Sequence, residues 1–308
     1  MKALSFLRRS FEHGVHPAHH KQQTADLPIQ RVPFGKHYVM PLGQHIGVPA
    51  VPVVAAGERV ERGQLIAEPG GFVSTGLHSP VTGTITEIGD FRGVDGRFAP
   101  AIAIEADAFS TQQVDARPAV DWQSLTLDEF IKAVQMAGIV GMGGAAFPAH
   151  VKLSVPDGVR IRHLLINGAE CEPYLTTDHR LMVERPEALL EGAEIMRQKL
   201  GAEETVIGVE MNKPDAIETL RKHIEPGQPV RIVPLKVKYP QGAEKMMIKS
   251  VFDKEVPAGQ LPRDVEVNVN NVGTIVAVAD YFLRGMPLIE RIVTVCLLYT
   301  SDAADELT

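Results

Sequence analysis

The chain has 308 residues, enough for about two domains at the usual ~100–200 residues each, and its 44% hydrophobic content excludes wholesale disorder. With 38 acidic against 31 basic residues the net charge is −7, so no basic field collects nucleic-acid phosphates. Two cysteines, Cys171 and Cys296, form no disulfide framework, cannot by themselves ligate an iron–sulfur cluster or a structural zinc, and fit a reducing compartment.

No run of about 20 apolar residues offers a membrane span, and the opening Met1–Arg9 has neither the apolar core nor the cleavage site of a secretory signal. Residues 1–26 are expected to be a loose N-terminal arm. Its His13, His16, His19 and His20 lie close enough to suggest a metal. No acidic or cysteine partner completes a site, and Pro17 breaks any helical face, so a solvated arm is expected and no metal site is predicted.

Residues 27–106 read as all-β. Val51–Val54, Gln64–Ala67, Thr84–Ile88 and Ala101–Ile104 are short strand candidates broken by Gly and Pro. Gly57 and Gly63 would supply turns, with Val60 and Leu65 inward. The repeated turn-then-strand unit resembles the barrel-sandwich hybrid of biotinyl and lipoyl carrier domains. A carrier needs a lysine at the hairpin tip between its two units. The tip here, Glu68-Pro69-Gly70-Gly71-Phe72-Val73-Ser74-Thr75-Gly76, has none, so the swinging arm is not expected.

Residues 107–295 alternate helix and strand. Thr126, with Glu129 three residues on, has the spacing of a capping box opening a helix through Val134. His163–Asn167, Thr205–Glu210 and Val230–Leu235 read as strands; Pro186–Lys199 and Asp215–His223 read as helices. This order predicts a mainly parallel, Rossmann-like sheet and an α/β fold class. Residues 296–308 complete no element and read as a foreign or frayed tail, Cys296 with them.

Four stretches carry chemistry. Gly138–Lys152 clusters Gly141, Gly143 and Gly144 ahead of Phe147, Pro148 and Lys152. Closely spaced glycines let the backbone approach a phosphate and present N–H groups to it. The spacing is neither the dinucleotide G-x-G-x-x-G nor a Walker loop. Asn167-Gly168-Ala169-Glu170-Cys171-Glu172-Pro173-Tyr174 follows a predicted strand, where ligands of parallel sheets gather. Asn167 can donate and accept, as a flavin edge requires, and Glu170 and Glu172 are acceptors for sugar hydroxyls. Lys238-Tyr239-Pro240-Gln241-Gly242-Ala243-Glu244 also follows a strand. Asn270-Asn271-Val272-Gly273-Thr274 reads as a polar turn opening a helix through Phe282.

Together, in this order, the stretches resemble the flavin domain of the NADH-oxidising subunit of respiratory complex I, with its G-R-G-G-A-G-F-P, N-A-D-E-S-E-P, Y-x-x-G-E-E and N-N-V-E-T turns. Departures fall at Met142, Ala146, Ala169, Cys171, Ala243 and Gly273. The β-rich first domain, Gly14-Val15-His16-Pro17 and the run Asn167–Met182 resemble more closely the C subunit of the Rnf ion-translocating electron transport complex, over about residues 10–295. That family continues into a β-grasp domain and a ferredoxin-like part with two 4Fe–4S clusters, whose cysteine runs this sequence lacks.

The resemblance implies non-covalent FMN as cofactor and NADH as donor. It implies Gly141, Gly143, Gly144, Lys152, Asn270, Asn271 and Thr274 on the FMN phosphate side, and Asn167, Glu170, Cys171, Tyr239 and Gly242 along the ribityl chain and ring. Phe147, Glu172 and Glu244 would meet NADH. Implied partners are the other Rnf subunits and, through them, ferredoxin, at the cytoplasmic face of the bacterial inner membrane. The alternatives are the A subunit of the sodium-pumping NADH:quinone reductase, a carrier module, and a docking subunit without catalysis.

Overall fold

A computed structural model describes residues 10–93, 95–114, 120–156 and 158–295. The expected tail 296–308 and the start of the arm, 1–9, lie outside the described residues.

The first domain is built from β1 (His37–Pro41), β2 (Val51–Pro52), β3 (Arg59–Val60), β4 (Leu65–Glu68), β5 (Leu77–His78), β6 (Gly83–Arg92) and β7 (Phe98–Ala106). They form a four-stranded sheet, β1-β7-β6-β3, and a three-stranded one, β2-β4-β5, every pair antiparallel. Val60, Ile66, Val81, Ile85, Ile102 and Ile104 fill the interior. Leu65, expected inward, is half-buried, and Ile66 takes the core position beside it. Gly57 and Gly63 turn with φ of 86° and 85°, as expected.

The second domain contains α1 (Leu127–Met136), α2 (Ala149–Leu153), β8 (His163–Gly168), α3 (Thr177–Glu184), α4 (Pro186–Leu200), β9 (Glu204–Glu210), α5 (Pro214–His223), β10 (Val230–Leu235), α6 (Glu244–Phe252), β11 (Val267–Asn271) and α7 (Val272–Arg284). Thr126 caps α1 through the reciprocal bonds expected of its capping box. Strand order is β10-β9-β8-β11, all parallel. The fold is thus α/β with a barrel-sandwich domain ahead of a parallel sheet. Phe130, Leu164, Ile166, Leu189, Met196, Ile207 and Phe282 pack on one face of the sheet with most of the helices. Leu165, Val206, Val233, Met247 and Val269 pack on the other, with α6. Helices α4 and α7 approach so closely that a Cβ on Gly192 would lie 2.1 Å from the Ile275 carbonyl oxygen. Only glycine fits there.

Two features differ from expectation. The Asn270–Asn271 stretch is the end of a buried strand before it opens a helix. Residues 10–26 are largely exposed, as expected of an arm, but they are anchored: Phe11 and Lys21 are buried against the second domain.

The domains meet at the hairpin tip between β4 and β5. Gln135 on α1 donates through Nε2 to the carbonyls of Gly71 (3.2 Å) and Ser74 (3.1 Å). Gly76 N–H donates to Gln135 O at 3.0 Å, and His150 Nε2 stands 2.7 Å from Phe72 O.

Candidate functional site

Chain order fixes where a site can form. From β8 the chain steps outward through β9 to β10, whereas β11 lies on the other side of β8. The crevice between the carboxyl ends of β8 and β11 is therefore the switch point at which parallel sheets bind ligands. Asn167 and Asn271 are register partners across it.

Over this crevice lies the glycine loop. Val140 and Pro148 pair at its base, and Gly141 N–H donates to Phe147 O at 2.8 Å. Thr274, fully buried in the first turn of α7, accepts from Met142 N–H and donates to Val140 O, both at 3.0 Å. It thereby ties the loop to the helix. Asn271 caps α7 by accepting from Gly273 N–H at 2.8 Å. A Cβ on Gly143 would stand 3.7 Å from the Asn271 side chain. At the crest, residues 142–145 form a hydrogen-bonded turn closed by the Ala146 N–H, and among the described residues the N–H groups of Gly143, Gly144 and Ala145 make no other close bond to the protein. Gly144 sits at φ 138°, open to its side, a conformation that disfavours any side chain. Successive unclaimed amides of this kind form an anion cradle. The residues present therefore fit a phosphate-bearing cofactor.

Lys152 on α2 pairs with Glu244 at the start of α6 and reaches Val269 O at 3.3 Å. These two residues, expected to meet different ligands, meet each other. Asn167, Cys171 and Gly242 also converge. Asn167 Nδ2 donates to Gly242 O at 2.7 Å, and Gly242 N–H points to Cys171 Sγ at 3.3 Å. Burial pushes the Cys171 thiol up to about 11, against the pull of the Gly242 N–H, so it is protonated at neutral pH.

Other expected residues have different partners. Glu170 is buried, and its carboxylate accepts from Thr177 Oγ1 (3.1 Å), Asp178 N–H (2.9 Å) and His179 N–H (3.3 Å). It satisfies the free amides of the α3 N-terminus, where a negative charge is favourable. Asn270 is buried and donates to Asn268 Oδ1 at 2.6 Å; Asn268 in turn donates to Lys152 O at 2.8 Å. That pair holds α2 in place from beneath. Tyr239 is 41% exposed, with its backbone paired to Val15 of the arm. Phe147 is half-buried, and Glu172 is exposed.

The sequence reading missed Lys21, Asp178, Lys213 and Asn268. Asn268 had a signal, its alternation with Asn270 between Val267 and Val269. Asp178 accepts from Asn271 Nδ2 at 2.6 Å beside the Glu170 carboxylate. Burial first, then the Glu170 charge, push Asp178 from 3.8 up to about 8. A folded pKa above the unfolded one means stability is full below pH 3.8 and is lost as pH rises toward about 8. Asp178→Asn keeps an acceptor for Asn271 and removes the second charge. We expect it to melt higher than the unaltered chain at pH 8 and to show a flatter fall from pH 5 to 8. Parallel melting curves for the two proteins would refute this.

Both domains match known protein families. Residues 9–109 match the RnfC barrel sandwich hybrid domain, and residues 134–280 match the Nuo51 FMN-binding domain. The chain is 43% identical over 288 residues to the C subunit of the proton-translocating ferredoxin:NAD(+) oxidoreductase complex of Clostridium ljungdahlii, covering 93% of this chain and 63% of that protein. Against the Na(+)-translocating counterpart of Acetobacterium woodii it is 40% identical over 288 residues, 92% of this chain and 64% of that one. Against the C subunit of the ion-translocating oxidoreductase complex of Pseudomonas aeruginosa it is 42% identical, covering 90% of this chain and 36% of that one. Among solved structures, an air-oxidised NAD+-reducing NiFe hydrogenase overlaps 57% of this chain and 37% of its own at a TM-score of 0.44 and 24% identity. The chain spans less than two thirds of the length of these curated relatives, and within that span it carries both of the matched domains in order. Over both domains it is homologous to the C subunits of the Rnf ion-translocating electron transport complexes.

Proposed function

We propose that this chain is the electron-input portion of such a subunit, binding FMN and taking electrons from NADH. The observation that carries this reading is the glycine loop seated over the β8–β11 crevice, tied to α7 through Thr274 and set against Asn271, with Gly143, Gly144 and Ala145 presenting amides at its crest. When bound, FMN supplies the hydride acceptor and the change from two-electron to one-electron chemistry. The chain's own residues bind and orient. Gly143, Gly144 and Lys152 hold the phosphate, with Asn271 and Thr274 fixing the loop that presents those amides. Asn167, Cys171 and Gly242 shape the floor along the ring and ribityl chain, and the protonated Cys171 thiol adds no charge there. Phe147, Glu172 and Glu244 receive the dinucleotide.

The onward path needs 4Fe–4S clusters, which the family resemblance puts in a part of the protein that this chain does not span. Ferredoxin and the other Rnf subunits are the partners of the complete protein, at the cytoplasmic face of the inner membrane. No described helix is long and apolar enough to cross a membrane, which suits peripheral attachment through those partners.

Anaerobic stopped-flow mixing tests the reading. The chain reconstituted with FMN is expected to lose its flavin absorbance on addition of NADH and to reduce small artificial acceptors. It is expected not to reduce ferredoxin. An FMN band that stays oxidised under excess NADH rejects the electron-input reading and favours a docking role. Efficient ferredoxin reduction by this chain alone rejects the assigned exit path.

A further inference from the structure

Residues 10–26 cross the carboxyl edge of the sheet and are fastened at several points. Val15 and Tyr239 exchange backbone bonds of 2.9 and 2.8 Å. His16 Nδ1 lies 3.1 Å from Val237 O. Lys238 Nζ donates to Phe11 O and to His13 O, the latter at 2.9 Å, and stands 3.7 Å from the Phe11 ring centroid. Tyr174 N–H donates to His19 O at 2.8 Å, and the His20 and Tyr174 rings stack 5.0 Å apart at 13°.

Beyond these fastenings comes Lys21, 7% exposed. Its Nζ donates to Glu170 O at 2.9 Å, to Glu172 O at 3.0 Å and to Leu175 O. An ammonium has three N–H donors and no acceptor, so one turn of the chain uses all of its capacity. From the other side Lys213 Nζ donates to Ala169 O at 2.6 Å. The turn 169–175 contains no regular element to hold it. Its backbone is positioned by two buried cations from elsewhere in the sequence, and it bears the exposed Glu172.

We propose that Lys21 is a positioning residue for the dinucleotide: the N-terminal arm is a strap whose ammonium fixes the 170–175 turn so that Glu172 meets NADH. This rests on the FMN and NADH reading above. The strap leaves the phosphate cradle alone, because Lys21 contacts neither the glycine loop nor α2 among its described partners. Its loss therefore weighs more on dinucleotide binding than on FMN binding, for which only Cys171 of the floor lies in the same turn.

The test uses the full chain with Lys21→Met, which keeps the stem and removes the donors. Steady-state reduction of an artificial acceptor by the FMN-loaded chain is expected to show a KM for NADH raised about tenfold or more, the worth of charge-assisted bonds. The rate at saturating NADH is expected to hold, and the FMN dissociation constant to rise by a factor of about two at most, well short of the change for NADH. In the chain without cofactor, amide exchange over residues 171–175 is expected to quicken about tenfold while β8 and α7 keep their protection. Val15→Pro removes the donor to Tyr239 and loosens the strap upstream. It is expected to give the same pattern in milder form, and it carries the test if Lys21→Met does not fold. Unchanged exchange over 171–175 overturns the inference whether or not NADH reduces the flavin. So does an equal loss of FMN and NADH binding, which marks Lys21 as a general support. Failure of the unaltered chain to react with NADH, with faster exchange in Lys21→Met, rejects the electron-input reading and the strap's role in it, leaving Lys21 only as a support of the turn.

Discussion

Lys152→Ala is expected to weaken FMN binding about ten- to a hundredfold and to leave riboflavin binding nearly unchanged. The two ligands differ by the phosphate, and the lysine is the cation on α2, the helix into which the glycine loop runs. Its side chain is 29% exposed, so it can turn to a ligand without crossing the core. In the structure it is occupied by Glu244, and a phosphate must compete with that carboxylate. Glu244→Gln removes the competitor and is expected to tighten FMN while weakening NADH. Titrations followed by flavin fluorescence measure all of these constants. Equal losses for FMN and riboflavin in Lys152→Ala would show that the lysine acts through the fold, by way of Val269 and Glu244.

Lys213→Met is expected to cost about 3–5 kcal/mol of stability, the usual penalty for stranding one member of a buried ion pair. Lys213 is 1% exposed and Glu210 fully buried, with Nζ 3.6 Å from Glu210 Oε2. Burial pushes Glu210 upward, and Lys213 is the largest influence holding it down. Without the lysine, the carboxylate keeps the Lys238 N–H at 3.1 Å and the more distant charge of Lys21, and is driven toward taking up a proton. Ala169 O loses its donor as well. The melting temperature is expected to drop by about 10 °C or more. The double variant with Glu210→Gln is expected to recover part of the loss. A single-variant loss below about 1 kcal/mol would mean that water takes over the lysine's role.

Much of the architecture was legible because it is written locally. The capping box at Thr126 and Glu129, the turns at Gly57 and Gly63, and the apolar runs of β8, β9 and β10 each depend on neighbours within a few residues. Helix α3 was not legible because its cap is Glu170, outside the usual spacing, while Thr176 at the cap position makes no side-chain bond to the helix. Strand β11 was hidden by its asparagines. Side chains that would normally mark a turn are buried there by bonding each other and Lys152 O. The arm read as solvated from its Gly, Pro and His content; Lys21 reveals its role only through carbonyls 149 to 154 positions away. The four stretches could be singled out because each adjoins a strand or helix end. The pairing of Lys152 with Glu244, 92 positions apart, could not, since nothing local sets it.

The lysine-free hairpin tip of the barrel domain has a consequence for electron exit. A carrier domain delivers cargo by travel: its tip swings on a tether from one station to the next. Here the tip is moored to Gln135 and His150, and His150 follows the glycine loop directly. A moored tip cannot ferry anything, but it can keep the loop from shifting when a neighbour docks. On the proposed electron-input reading, electrons leaving this site would then cross a gap that no tip movement widens or narrows. The speed of that crossing is set by how near the acceptor sits, not by how fast a domain moves.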